Sequence, residues 1–312
     1  MSFIIIIVFN LIIFISPLVV LSSTNIIIMW VGLELGTFSF LPIIFSQTQV
    51  PFSTIKYFFI QRVASVIILI SLSYKRLILS GRVVFLALIL KIGIAPFHFW
   101  LPRFVSSLRM NEILILLVWQ KIAPLAIITF IPTLSGTVKI IIGVLRVTVG
   151  RILGLRQTQW KQIFTFSSVR HVGWIVIRRA LSYWLTFIYF LTYSVAFFQI
   201  IVSNNSKTLN SSIFYYSPLS LNRLMILLSI TGLPPIIGFL IKMFVLFYLS
   251  FLGIIIVVSV LLVILSAIRI FFYLKIFFSL SLLSRSKELI RRKIFFVGNF
   301  IIFLFGPCLM YF

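Results

Sequence analysis

Ile26-Ile27-Ile28-Met29-Trp30-Val31-Gly32-Leu33-Glu34-Leu35 is the stretch that decides how this chain folds. It is apolar apart from one glutamate, and mostly apolar residues continue to Phe45. That makes a run of about 20 residues, the length an α-helix needs to cross a hydrocarbon core of about 30 Å. Glu34 is one of only three acidic residues, and the chain has no aspartate. An ionisable group near a bilayer midplane is costly, so its presence there marks a functional site.

Outward from this segment the same pattern repeats. The 312 residues are 62% hydrophobic, with a mean hydropathy of +1.26. A soluble domain carries far more polar surface than this. The reading is an all-α polytopic membrane protein of about eleven transmembrane helices. They cover roughly 3–21, 24–45, 53–73, 82–101, 112–131, 136–154, 161–180, 183–203, 222–249, 251–278 and 294–312. Polar turns such as Ser46-Gln47-Thr48-Gln49-Val50-Pro51 and Ser203-Asn204-Asn205-Ser206-Lys207 separate them. With no linker of distinct composition, residues 1–312 form a single membrane domain. It divides into a first five-helix repeat at about 3–131, a second at about 136–278, and a C-terminal helix at about 294–312. The first run lacks a basic n-region and a small-residue cleavage site, so it reads as a retained helix.

Composition also excludes chemistry. Cys308 is the single cysteine, so there is no intramolecular disulfide and no cysteine-based metal or iron–sulfur site. No Gly-rich phosphate loop follows a strand. Redox and nucleotide chemistry therefore belong to a partner. The net charge of +24 is scattered among apolar helices, which argues against a nucleic-acid partner and for a lipid bilayer.

Two spans carry helix breakers. The fourth contains Pro96 in Lys91-Ile92-Gly93-Ile94-Ala95-Pro96-Phe97-His98, and the ninth contains Gly232-Leu233-Pro234-Pro235. A proline removes a backbone donor and clashes with the carbonyl four residues earlier. Freed carbonyls at membrane depth persist only where protein or water satisfies them. The breaks fall at the same position in two five-helix units, and an odd repeat length inverts the second unit. Paired broken helices in inverted repeats point to an ion pathway.

Loop lysines and arginines set the orientation. Lys275, Arg285, Lys287, Arg291, Arg292 and Lys293 share one face with Arg103, Arg109, Arg156, Lys161, Lys207 and Arg223. The opposite face holds chiefly Lys75, Arg76, Arg82, Arg178 and Arg179. The N-terminus is thus expected on the positive side (cytoplasm or matrix) and the C-terminus opposite.

Lys91, Lys121 and Lys242 join Glu34 as charges within spans. Burial disfavours the ionised form of acid and base alike. That brings the two types closer in proton affinity, and a chain of such groups is what a proton relay requires. In a regular helix Lys91 and His98 share one face about 10 Å apart along the axis, so water in the Pro96 break must bridge them. Lys56, near the start of its span, is expected to snorkel. His171 follows Ser167-Ser168 and either hydrogen-bonds locally or carries protons.

These blocks together resemble a known family. Met29–Leu35, Lys91–Trp100, Trp119-Gln120-Lys121-Ile122-Ala123-Pro124, Ser167–Trp174 and Gly232–Lys242 look like the subunit 2 family of mitochondrial NADH:ubiquinone oxidoreductase (respiratory complex I). The resemblance runs in family order from residue 29 to 242. It implies an antiporter-like membrane-arm subunit of the mitochondrial inner membrane, N-terminus in the matrix and C-terminus in the intermembrane space. Its partners are other membrane-arm subunits. It implies that Glu34 and Lys56 form an acid–base pair, Lys121 is the central connecting lysine, and Lys91 and Lys242 belong to the two broken helices. With His98 they form a hydrated polar axis. No cofactor binds this chain; NADH, flavin mononucleotide, iron–sulfur clusters and ubiquinone act on other subunits. The rival readings are a related cation/proton antiporter subunit and a structural subunit without its own proton path.

The arginines depart from that pattern. Arg62, Arg146, Arg151, Arg170, Arg178 and Arg269 lie in or near spans. A central arginine costs roughly 2.5–3.5 kcal/mol on insertion scales, and three acids cannot pair them all. One hypothesis is that some of them are translation artefacts; the alternative is a real lineage whose arginines face water or bind lipid phosphates. Many invertebrate mitochondria read AGA and AGG as serine, and a standard translation of such a gene writes arginine instead. Replacing all the arginines by serine would lower the net charge from +24 to +8. CGN codons at Arg62 and Arg170 would exclude the idea.

Overall fold

The computed structural model describes residues 3–46, 51–73, 79–130, 136–157, 159–179, 183–203, 242–247 and 258–267. Among the described residues every regular element is helical. In order they are α1 (Phe3–Ser22), α2 (Ile26–Phe45), α3 (Pro51–Ser73), α4 (Leu79–Ile92), α5 (Trp100–Ser107) and α6 (Met110–Leu114). A π-helical turn (Ile115–Trp119) leads into α7 (Gln120–Phe130), followed by α8 (Gly136–Leu155), α9 (Trp160–Arg179) and α10 (Tyr183–Ser203). Residues 242–247 and Val258–Ala267 are also helical.

Among the described residues, four stretches are long and apolar enough to cross a membrane: Ile5–Ser22, Ile26–Phe45, Phe52–Ser71 and Met110–Ile128. α8 and α9 have the length but carry Arg146, Arg151, Arg170, Arg178 and Arg179, which depress their hydropathy. The second break at Gly232, Pro234 and Pro235, and the C-terminal helix expected at about 294–312, lie outside the described residues.

The chain forms two compact units, Met1–Gly150 with Trp160–Ala180, and Arg151–Gln159 with Leu181–Phe312. In the first, α1 packs on α2 and α7, α2 also meets α3 and α7, α4 meets α3 and α7, and α5 packs on α9. Large apolar side chains such as Leu11, Leu18, Phe59 and Ile70 remain exposed, as lipid-facing residues do. In the second unit, Arg151 donates to the Leu262 carbonyl at 3.4 Å.

Local chemistry explains the packing. Asn25 caps α2 by accepting the Ile27 N–H at 3.1 Å. Gly32 and Gly36, four residues apart, let α2 approach α1 closely. A Cβ on Gly32 would meet Val20 Cγ2 at 2.6 Å, and one on Gly36 would meet Ser16 Oγ at 2.8 Å. Pro17 within α1 has no N–H for the Ile13 carbonyl. The Trp119 indole N–H and the Ser16 hydroxyl donate to that carbonyl instead, at 3.0 and 2.9 Å. The lone proline in α1 thereby ties the first helix to the turn that precedes Lys121.

The fourth expected span is broken as the proline predicts, but into two helices with residues 93–99 between them. Gly93 takes φ +70°, a left-handed conformation that glycine adopts without steric cost. Its N–H bonds to the Ile89 and Leu90 carbonyls at 3.1 Å, and the Ile94 N–H bonds to Ile89 at 3.2 Å. This is a Schellman-type helix end. The Ala95–Pro96 peptide is cis.

Candidate functional site

The helix end at Gly93 places Lys91 in the last turn of α4 with its side chain buried. Its ammonium donates to Glu34 Oε1 at 3.1 Å. The other carboxylate oxygen lies 2.7 Å from Arg62 Nη1. The Arg62 guanidinium also stacks 3.4 Å from the Phe38 ring centre, and its side chain is 26% exposed. The centre is therefore a triad of α2, α3 and α4. A charge-paired carboxylate of this kind is stabilised by two cations in a low-dielectric setting.

This corrects the pairing of Glu34 with Lys56. Lys56 is exposed, with its ammonium 4.3 Å from the Phe52 ring centre. It lies near the start of α3, whereas Arg62, six residues further on, reaches the carboxylate. The snorkelling expectation for Lys56 agrees with this exposure.

Lys91 and Lys121 line one cavity of about 40 Å³, together with Thr37, Gln61, Trp100 and Gln120. That volume holds the centres of about three waters. Lys121 follows the π-helical turn at Ile115–Trp119. The wider turn holds an extra residue, which rotates everything after it about the helix axis. Lys121 is buried and donates to Ser168 Oγ on α9 at 3.0 Å. The Ser168 hydroxyl in turn donates to the Thr165 carbonyl at 2.7 Å, so its lone pairs face the lysine.

His98 does not line this cavity. It is buried beside Phe99 and Phe166, with ring centres 4.3 and 6.3 Å away. Its ring nitrogens meet no partner at good hydrogen-bond geometry. Because residues 93–99 are not helical, the regular spacing inferred between Lys91 and His98 does not apply. His171 is buried and contacts the neighbouring Arg170 Nη2 through Nε2 at 2.9 Å. A guanidinium only donates, so this ring nitrogen is the acceptor. Lys242 is buried at the start of the 242–247 helix.

Several participants escape a reading of the sequence. Arg62 as partner of Glu34, Ser168 as partner of Lys121, and the glutamines 61 and 120 emerge only from packing. Gln61 Nε2 donates to the Lys91 carbonyl at 2.9 Å. Gln120 accepts from Tyr57 OH at 3.2 Å and donates to the Gly36 carbonyl at 3.3 Å. A polar amide within an apolar span was the available signal for both. Among the described residues, no group of acidic, histidine or cysteine side chains could hold a metal.

Comparison with known proteins identifies the family. The family described as NADH:quinone oxidoreductase/Mrp antiporter, TM, matches residues 72–269. NADH-ubiquinone oxidoreductase chain 2 of Mus musculus is 35% identical over 292 residues, covering 86% of this chain and 84% of the relative. Its counterpart in Myxine glutinosa is 32% identical over 294 residues, covering 87% and 84%. Among solved structures, a chain of respiratory complex I from Thermus thermophilus with bound aureothin superposes with a TM-score of 0.78 at 20% identity. That match covers 97% of this chain and 78% of the other. A chain of the Mrp complex from Dietzia sp. DQ12-45-1b gives a TM-score of 0.73 at 16% identity, covering 86% and 59%. At those identities the superpositions speak for the fold, while the relatives above 30% identity fix the family. With a buried acid–lysine pair, a broken fourth span and this degree of kinship, the chain belongs to the NADH-ubiquinone oxidoreductase chain 2 family of antiporter-like membrane proteins.

Proposed function

We propose that this chain is a membrane-arm subunit of proton-translocating NADH:ubiquinone oxidoreductase in the mitochondrial inner membrane, and that it carries protons along Glu34, Lys91 and Lys121. One observation carries the reading: a single cavity is lined by both Lys91 and Lys121, with Glu34 bound to Lys91. While Glu34 is ionised and in place, it holds a proton on Lys91 by ion pairing. Neutralising or withdrawing the carboxylate releases that proton toward the cavity, where a neutral Lys121 amine accepts it. Two ammonium groups on one small cavity repel each other strongly in low dielectric, so occupancy alternates between them. Ser168 steadies the Lys121 ammonium once it is charged.

The wider reading retains eleven spans in two inverted repeats, with the N-terminus in the matrix and the C-terminus in the intermembrane space. His98, His171 and Lys242 belong to the extended polar axis, which runs toward neighbouring membrane-arm subunits. Electron transfer from NADH to ubiquinone, with its flavin and iron–sulfur clusters, takes place on other subunits. The test is Lys121→Met in the assembled complex, reading electron transfer and proton output in sealed vesicles. The expected result is normal assembly on a native gel with proton output lost. Intact pumping with normal assembly would leave this chain a scaffold.

A further inference from the structure

We infer that Gln61 is a positioning residue for proton passage between Lys91 and Lys121, coupling the α4 break to the hydrogen-bonding pattern of their cavity. The inference rests on the proposed function above and adds a residue that the proton path has not so far included.

Gln61 sits on α3, is 4% exposed, and lines the cavity with both lysines. The end of α4 determines which way its amide points. Gly93 and Ile94 donate to Ile89 and Leu90, which leaves the Lys91 carbonyl without a backbone donor. Gln61 Nε2 supplies that donor at 2.9 Å. A carbonyl can only accept, so the nitrogen must face Lys91 and the amide cannot flip without losing this bond. The amide oxygen is then the polar atom left to the cavity. It is buried and has no protein partner.

That oxygen is a neutral acceptor on a residue that lines the cavity with both lysines. Lys91 spends one of its three N–H donors on Glu34, and Lys121 spends one on Ser168. Each retains donors for the cavity. An acceptor held at this cavity takes an N–H from either lysine, directly or through water, and so orders the hydrogen-bond chain that links them. An amide neither takes nor releases the proton at ordinary pH, so Gln61 orders the chain without trapping charge. Because Nε2 holds the carbonyl at the helix end, movement of the break would carry the acceptor with it.

The experiment compares Gln61→Met, Gln61→Glu and Lys121→Met in the assembled complex. It reads turnover and proton output per assembled complex across the pH range in which the complex is stable. The charged and titratable neighbours are Glu34 on α2, Lys91 on α4, Lys121 on α7, and Tyr57 and Arg62 on the same helix as Gln61. Methionine keeps the volume and removes both the bond to the Lys91 carbonyl and the amide acceptor. Turnover and proton output are expected to fall about tenfold at every pH, the rate equivalent of one buried hydrogen bond. A protonated glutamic acid can still donate to the Lys91 carbonyl and accept from the cavity, whereas its carboxylate cannot donate. Gln61→Glu is therefore expected to work near the native rate at the acid end and to fail as it ionises, a step absent from the native profile. Native rates per assembled complex in Gln61→Met would overturn the inference. So would a Gln61→Glu profile without the added step, which also decides the matter if the methionine variant does not assemble. Loss of pumping in Lys121→Met alongside native Gln61→Met rates sinks the role of Gln61 only. Normal pumping in Lys121→Met sinks the proton path itself.

Discussion

The pairing of Glu34 with Lys91 rather than Lys56 yields a double-mutant prediction. Two unit charges 3.1 Å apart attract by about 5 kcal/mol at an effective dielectric of about 20. Desolvation of both ions offsets much of that, and removing one partner of a buried pair typically costs about 3–5 kcal/mol. Much of this cost is the burial of the abandoned charge, so it vanishes when both partners are removed. Glu34→Gln and Lys91→Met should each lower turnover, and their combination should lose much less than the product of the two. For residues in direct contact the coupling is on the order of 2 kcal/mol, about thirtyfold in rate. Lys56 is exposed against Phe52, so Glu34→Gln and Lys56→Met should multiply to within about twofold. The assay is quinone-dependent NADH oxidation with proton output, normalised to assembled complex. Multiplicative behaviour for Glu34 with Lys91, together with strong coupling for Glu34 with Lys56, would refute the pairing seen here.

Three further outcomes follow from the same geometry. Ser168→Ala removes the hydroxyl that accepts from Lys121. A hydrogen bond to a charged group is worth about 1.5–3 kcal/mol, so proton output should fall about tenfold or more with assembly intact; an unchanged rate would count against Lys121 using that contact. Gly93→Ala forces an L side chain to φ +70° and brings its Cβ to 2.7 Å from Trp100 Cζ2, so thermal inactivation of the complex should accelerate, and native stability would argue against this helix end. The Arg146 guanidinium is fully buried and its three nitrogens have no hydrogen-bond partner, a cost no helix bears readily. Mass spectrometry of the peptide spanning position 146 is expected to show serine and no tryptic cleavage there, as a mitochondrial reading of AGA or AGG requires; arginine at 146 would remove that explanation.

Much of the fold was legible because its causes are local. Span length comes from runs such as Ile26–Phe45, and the fourth span was expected to break because Pro96 cannot donate. Glu34, Lys91 and Lys121 stood out because a charge within an apolar run is costly wherever the helix turns. The π-helical turn before Lys121 carried no such mark: Ile115-Leu116-Leu117-Val118-Trp119 is apolar throughout and fits an ordinary turn equally well.

The sequence by itself determined that this is a helical membrane protein, where its fourth span breaks, and that Glu34, Lys91 and Lys121 are charges within apolar spans. Only the tertiary structure decided which of those charges meet. A span that is apolar on all sides lacks the polar stripe that would reveal its rotation about its own axis. Whether Glu34 meets Lys91 or Lys56, and whether Lys121 faces Ser168, is set by that rotation. Glycine approaches, the proline-freed carbonyl of Ile13 and the π-helical turn fix it, through contacts between residues as far apart as Ile13 and Trp119.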